Sequence, residues 1–145
     1  MTIFFDMDGT LANFYGVDGW LDDLINEKTR PYAEAKPLFN FSALAKQIHR
    51  LQKCGIEISI ISWLSKESTD TFDNAVRETK IKWLHKHLPS VWFDEIHIVK
   101  YGTPKQNFLK SKKDILFDDE FANRENWTGT AYDVQNILEV LKGIA

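Results

Sequence analysis

The chain has 145 residues, 43% of them hydrophobic, enough for one domain to bury its own core without disulfides or a structural metal. A net charge of −3 gives no overall electrostatic reason to bind nucleic acid or an anionic membrane, and a single cysteine, Cys54, excludes an intrachain disulfide and suits a reducing cytoplasm. The apolar run that opens the chain is too short for a signal peptide or a membrane span, so a soluble cytoplasmic protein with no membrane partner is expected.

Ile3-Phe4-Phe5 is continuously apolar and ends in acidic residues and glycine, the pattern of a strand buried on both faces of a parallel sheet. Residues 13 to 40 form an irregular section with a short helix expected from Gly19 to Asn26. Its Pro31 and Pro37 sit poorly in helices or central strands. Leu44, Ile48 and Leu51 recur at helical spacing and predict a helix from about Phe41 to Lys53, stopped by Gly55. A second strand follows over residues 56–61. Phe72, Val76, Trp83 and Leu84 in a charged background predict an amphipathic helix from Asp70 to His87, closed by Pro89. Glu95 to Val99 reads as a strand, Lys105 opens a brief helix, Ile115 to Phe117 is a further strand, an acidic and polar loop follows, and Thr130 to Tyr132 is a short last strand. Val134 to Leu141 closes the chain as a helix. This alternation predicts one α/β domain over residues 1–145, Rossmann-like, with a mainly parallel sheet and helices on both faces.

In such sheets ligands bind beyond the carboxyl ends of the strands, where the strand order reverses. The chemically informative residues fall there: Asp6 and Asp8 after the first strand, Ser62 after the second, Asp118 and Asp119 after the strand at 115–117, with Lys105 at the start of the preceding helix. Carboxylates gathered in this way repel one another by roughly 4 kcal/mol per pair at ~4 Å and an effective dielectric near 20. A hard cation such as Mg²⁺, which prefers oxygen ligands, would offset that, whereas neither clustered cysteines nor an HExxH pair favours zinc. An aspartate is already ionised at neutral pH, so Asp6 could attack phosphorus without an activating base, with Lys105, Ser62 and the backbone amides near Met7 and Asp8 stabilising the phosphoryl oxygens. Lys100 competes with Lys105 for the cationic role.

Asp6-Met7-Asp8-Gly9-Thr10-Leu11 resembles the DxDGT signature of the haloacid dehalogenase (HAD) superfamily. Ser62, Lys105 and Asp118-Asp119 are similar to that family's second, third and fourth motifs and occur in the same order. The resemblance implies a HAD-like fold in which Asp6 forms an aspartyl-phosphate, and Asp8 protonates the leaving oxygen and then deprotonates the hydrolytic water. It also implies Mg²⁺ held by Asp6, the Asp8 backbone carbonyl and an aspartate of the 118–119 pair. Many relatives carry a large cap, whereas residues 13–40 offer only a small lid, as in deoxyribonucleotidase-like members and phosphatases of polymer ends. Tyr15 and Trp20 in that lid are expected at the leaving group, and Trp63, next to Ser62, at a base or ring.

Other residues invite plainer readings. His49, His85, His87 and His97 lack ligand spacing. Lys80, Lys82, Lys86 and Arg77, and the group Lys110, Lys112 and Lys113, read as solvated helix faces, and Cys54 as a small buried residue. Three functions remain open: a phosphatase of a small phosphorylated metabolite, with a nucleotide the leading guess; the same chemistry on a nucleic-acid end or phosphoprotein, nucleic acid entering as substrate only; and a HAD-fold binding module without turnover. Oligomeric state is not encoded in any of these features.

Overall fold

A computed structural model describes residues 1–144. Five strands, β1 (Thr2–Phe5), β2 (Glu57–Trp63), β3 (Glu95–Val99), β4 (Ile115–Phe117) and β5 (Thr130–Tyr132), form one sheet in the order β3-β2-β1-β4-β5. Every pairing is parallel, with Phe4 opposite Ser59 on one side and Leu116 on the other. The central β1 is buried along its whole length, which is why its sequence is unbroken apolar rather than alternating.

Alternate residues divide between the two faces. Ile3, Phe5, Ile58, Ile60, Ile115 and Phe117 join the larger core, and Phe4, Ile61 and Leu116 pack against Trp127 on the other side. The larger core is closed by three helices, α3 (Phe41–Lys53), α4 (Asp70–His87) and α6 (Ile137–Gly143), through Leu44, Ile48, Leu51, Trp83, Leu84 and Leu141. Each fully buried Leu or Ile there contributes about 1.5–3 kcal/mol relative to exposure. The starts of α3 and α4 are fixed by side-chain caps: Asn40 Oδ1 accepts from the Ala43 amide at 3.0 Å and Thr69 Oγ1 from the Phe72 amide at 3.2 Å. Gly55, at φ +82°, takes the left-handed turn that ends α3.

Residues 13–40 contain a 3₁₀ turn (Phe14–Gly16) and two short helices, α1 (Trp20–Ile25) and α2 (Arg30–Glu34). The segment leaves and rejoins the sheet domain at one place, through the Asn13 amide on Lys36 O and the Leu38 amide on Leu11 O. Phe14 and Tyr32 are buried against Leu64, Phe72, Val76 and Ile98, and the Trp83 indole donates to Ala35 O at 2.7 Å.

The structure corrects three local expectations. Pro31 lies inside α2, where it occupies the first turn and its missing N–H has no intrahelical partner to lose. The loop after β4 contains α5 (Phe121–Asn126), six residues without a side-chain cap bond and too short to show a helical period. Cys54 is exposed, because the turn into Gly55 carries it past the buried face of α3. No helix among the described residues is long and apolar enough to cross a membrane.

Candidate active site

The strand order reverses about β1, so the residues after β1, β2 and β4 meet at one edge. The loop after β1 is tightly wound: the amides of Thr10, Leu11 and Ala12 all donate to Met7 O, and Gly9 has φ +81°. A Cβ on Gly9 would collide with Asp119 Oδ2, so glycine provides both the backbone geometry and the room for that carboxylate.

Asp6 is almost wholly buried. Its Oδ1 accepts from Lys105 Nζ at 2.9 Å and its Oδ2 from Thr10 Oγ1 at 2.9 Å. Lys105 is itself 3% exposed and donates to Asp118 Oδ2 at 2.6 Å. Burial works against the Lys105 ammonium, but the Asp6 and Asp118 carboxylates outweigh it and hold its pKa above the ordinary lysine value. Lys105 opens a 3₁₀ turn (Lys105–Phe108) that is clamped by two bonds between Gln106 and Thr128, at 2.7 and 2.8 Å. Lys100, by contrast, is exposed.

Asp118 is fully buried and also accepts from the Glu120 amide at 2.9 Å and Asn123 Nδ2 at 3.1 Å. Carboxylate oxygens of Asp6, Asp118 and Asp119 lie within 4.8 Å of one another. The crowding bears on the titration of Asp118 and Asp119. Burial first, and then the neighbouring Asp6 charge, push Asp118 up to about 6 and Asp119 up to about 8. Three close carboxylates, all hard oxygen donors, fit a divalent cation of the Mg²⁺ type. Asp119 lines the open cavity, whereas Asp118 sits behind it, engaged with Lys105.

The Asp8 carboxylate does not join this group. It turns to Lys80, whose Nζ lies 2.9 Å from Asp8 Oδ2, 2.7 Å from Ser62 Oγ and 2.7 Å from Trp63 O. Burial and the Asp6 charge raise the Asp8 pKa, with Lys80 opposing them. Lys80 is 1% exposed, so its reading as part of a solvated face is corrected. The signal was present in the sequence: Phe72, Val76, Lys80 and Trp83 share one helical stripe, and Lys80 occupies its buried line.

These groups border a cavity of about 330 Å³ lined by Asp6, Asp8, Asp119 and Lys105 together with the aromatic residues Tyr15, Trp20, Tyr32, Trp63 and Tyr101. The Trp63 ring lies 5.3 Å from Lys105 Nζ, and its indole N–H is fixed on Thr103 O at 2.8 Å. Trp20 packs edge-on to Tyr15 with ring centres 5.1 Å apart. Of the residues singled out from sequence, Asp6, Asp8, Asp119, Lys105, Tyr15, Trp20 and Trp63 line the cavity, and Ser62 and Asp118 stand directly behind it. Thr10, Lys80, Tyr101 and Asn123 were missed. A larger groove of about 910 Å³, between α3 and the turn at Leu88–Ser90, contains none of these residues.

Compared by sequence, the chain matches no protein-family model and no curated protein. Compared by structure, it is similar to D,D-heptose 1,7-bisphosphate phosphatase from Burkholderia thailandensis, with a TM-score of 0.52 and 15% identity over 86% of this chain and 69% of that one. It is also similar to a chain in the structure of a Pnkp1/Rnl/Hen1 complex, with a TM-score of 0.56 and 18% identity over 92% of this chain. The fold is α/β and Rossmann-like, with a five-stranded all-parallel sheet. At these identities the likeness is one of fold, and the present chain spans only 44% of the one in that complex.

Proposed function

We propose that the protein is a Mg²⁺-dependent phosphomonoester hydrolase that works through an aspartyl-phosphate on Asp6. The observation that carries this reading is the placement of the Asp6 carboxylate at the end of β1, held by Lys105 and Thr10 on the floor of a cavity that Asp8 also lines. Asp6 attacks phosphorus, and its new Oδ–P bond replaces the ester P–O bond as Asp8 gives its proton to the leaving oxygen. Water then attacks the phosphoryl group while Asp8 takes its proton, and the Oδ–P bond breaks to release phosphate and restore Asp6. The raised pKa of Asp8 suits both duties, since a proton must be present for the first step and accepted in the second. Ser62 and Lys105 contribute hydrogen bonds and charge to the phosphoryl oxygens.

Mg²⁺ would be held by Asp6, Asp119 and the Asp8 backbone carbonyl, with Asp118 orienting Lys105; the ion supplies neutralising charge to the phosphoryl group. The aromatic residues that line the cavity favour a leaving group that carries a ring, a nucleotide being the leading case. Residues 13–40 would then act as the small lid. A second reading, hydrolysis at a nucleic-acid end, is favoured by the half-exposed Tyr15, Leu21 and Tyr101, which leave the cavity mouth open and apolar. A panel of phosphorylated metabolites, nucleotides and oligonucleotide ends, assayed with and without Mg²⁺, tests both. Phosphate release from none of them would overturn the proposal.

A further inference from the structure

We infer that Lys80 is a positioning residue, acting through Asp8 and Ser62 rather than on the phosphate itself; this rests on the reading of the site as a phosphatase. An ammonium has three N–H donors and no acceptor. In Lys80 all three are in use, on Asp8 Oδ2, Ser62 Oγ and Trp63 O. None is left for a phosphoryl oxygen. Lys105 is the second buried ammonium at this edge, and it takes Asp6 and Asp118. The two lysines thus divide the carboxylates: Lys105 serves the nucleophile and Lys80 serves the proton carrier.

Each Lys80 bond has a separate consequence. Because Lys80 can only donate, Ser62 Oγ must accept from it, and the Ser62 hydroxyl hydrogen is then directed elsewhere, toward the place of the phosphoryl oxygens. Asp8 Oδ2 is held on the α4 side, away from the group formed by Asp6, Asp118 and Asp119, leaving Oδ1 to carry a proton to the leaving oxygen. The bond to Trp63 O fixes the end of β2, from which the Trp63 ring reaches the cavity. The Tyr32 ring, 5.0 Å from Lys80 Nζ, closes the ammonium off from the side of residues 13–40. α4 therefore delivers a buried cation to a point where three separate segments meet, and its stripe position fixes the depth.

The test compares Lys80→Met with wild type on a sugar phosphate and on nitrophenyl phosphate, and measures inorganic phosphate binding by calorimetry with and without Ser62→Ala. The nitrophenolate leaves without a proton, so a residue that positions Asp8 matters less for it. Lys80→Met is expected to lower kcat on the sugar phosphate by about 10²-fold, the scale of a small misplacement of a reacting group, and on nitrophenyl phosphate by a few-fold at most. Phosphate binding should weaken by roughly tenfold in the wild-type background and hardly at all when Ser62 is already alanine. Equal losses on both esters, or full additivity with Ser62→Ala, would overturn the inference. A wild-type protein inactive on every ester overturns the proposed function instead, and the phosphate-binding cycle still decides the role of Lys80. Should Lys80→Met fail to fold, Lys80→Gln, which retains a donor for Ser62 but no charge, is read on the two esters: a larger loss on the sugar phosphate is expected, and equal losses would overturn the inference.

Discussion

Lys105 Nζ lies 2.9 Å from Asp6 Oδ1, and both side chains are at least nine-tenths buried. A buried ion pair of this kind is worth little beyond its hydrophobic replacement, but breaking it from one side leaves an unpaired charge, at a cost of about 3–5 kcal/mol. Lys105→Met should therefore lower stability by that order in urea unfolding at neutral pH without Mg²⁺. It should also reduce kcat by roughly 10²–10³-fold, the scale for removing one preorganised donor. Retained kcat would show that Lys105 serves the fold and not the reaction.

The pKa of Asp119, raised to about 8 by burial and by Asp6 and Asp118, has a defined sign. A carboxyl whose folded pKa exceeds its unfolded value, about 3.9, stabilises fully below that value and loses the contribution as pH rises toward 8. In EDTA the protein should lose about 1–2 kcal/mol from this source between pH 5 and pH 8, once solvent screening is allowed for. That corresponds to a fall in melting temperature of about 3–8 °C. Mg²⁺ should restore the loss at pH 8 and do little at pH 5, and Asp119→Asn should remove both the pH dependence and most of the Mg²⁺ response. Thermal melts at the two pH values, with EDTA or Mg²⁺, check this. A Mg²⁺ shift of equal size at both would count against it.

Gly9→Ala places a methyl group against Asp119 Oδ2 at a backbone φ of +81°. Strain of about 1–3 kcal/mol is expected from the backbone alone. The displaced Asp119 should weaken Mg²⁺ activation as well, so the Mg²⁺ concentration giving half-maximal rate should rise while Gly55→Ala, at an open turn with similar φ, leaves it unchanged.

Trp20 lines the cavity, packed on Tyr15, and reaches none of the carboxylates by hydrogen bond, so its loss should depend on the substrate. Removing a stacking contact of about 1–3 kcal/mol predicts a five- to 150-fold lower kcat/KM for Trp20→Ala on the preferred ring-bearing substrate. A minimal aryl phosphate should lose much less. Equal losses on both would assign Trp20 to packing of residues 13–40.

The sheet was legible because β1, β2 and β4 are short apolar runs broken at their carboxyl ends by an acidic residue or serine, as at Phe5-Asp6, Ile61-Ser62 and Phe117-Asp118. The same punctuation marked most of the residues that converge at the sheet edge. Lys80 was not legible as a site residue because charge suggested solvent, and only tertiary packing shows three acceptors waiting at the end of its side chain. α5 was hidden by its brevity, and Pro31 by a general rule that exempts the first turn of a helix. Cys54 was misplaced because one residue of turn separates the buried stripe of α3 from solvent.

The role of Asp6 as nucleophile is decided by phosphate release from purified wild-type and Asp6→Asn protein, under saturating Mg²⁺, on the best substrate of the panel. An amide of the same shape can still accept from Lys105 or Thr10 and keep the fold, but it cannot form the acyl-phosphate. No phosphate release above background is expected from Asp6→Asn, with the melting temperature showing a folded protein. Release at the wild-type rate would contradict it.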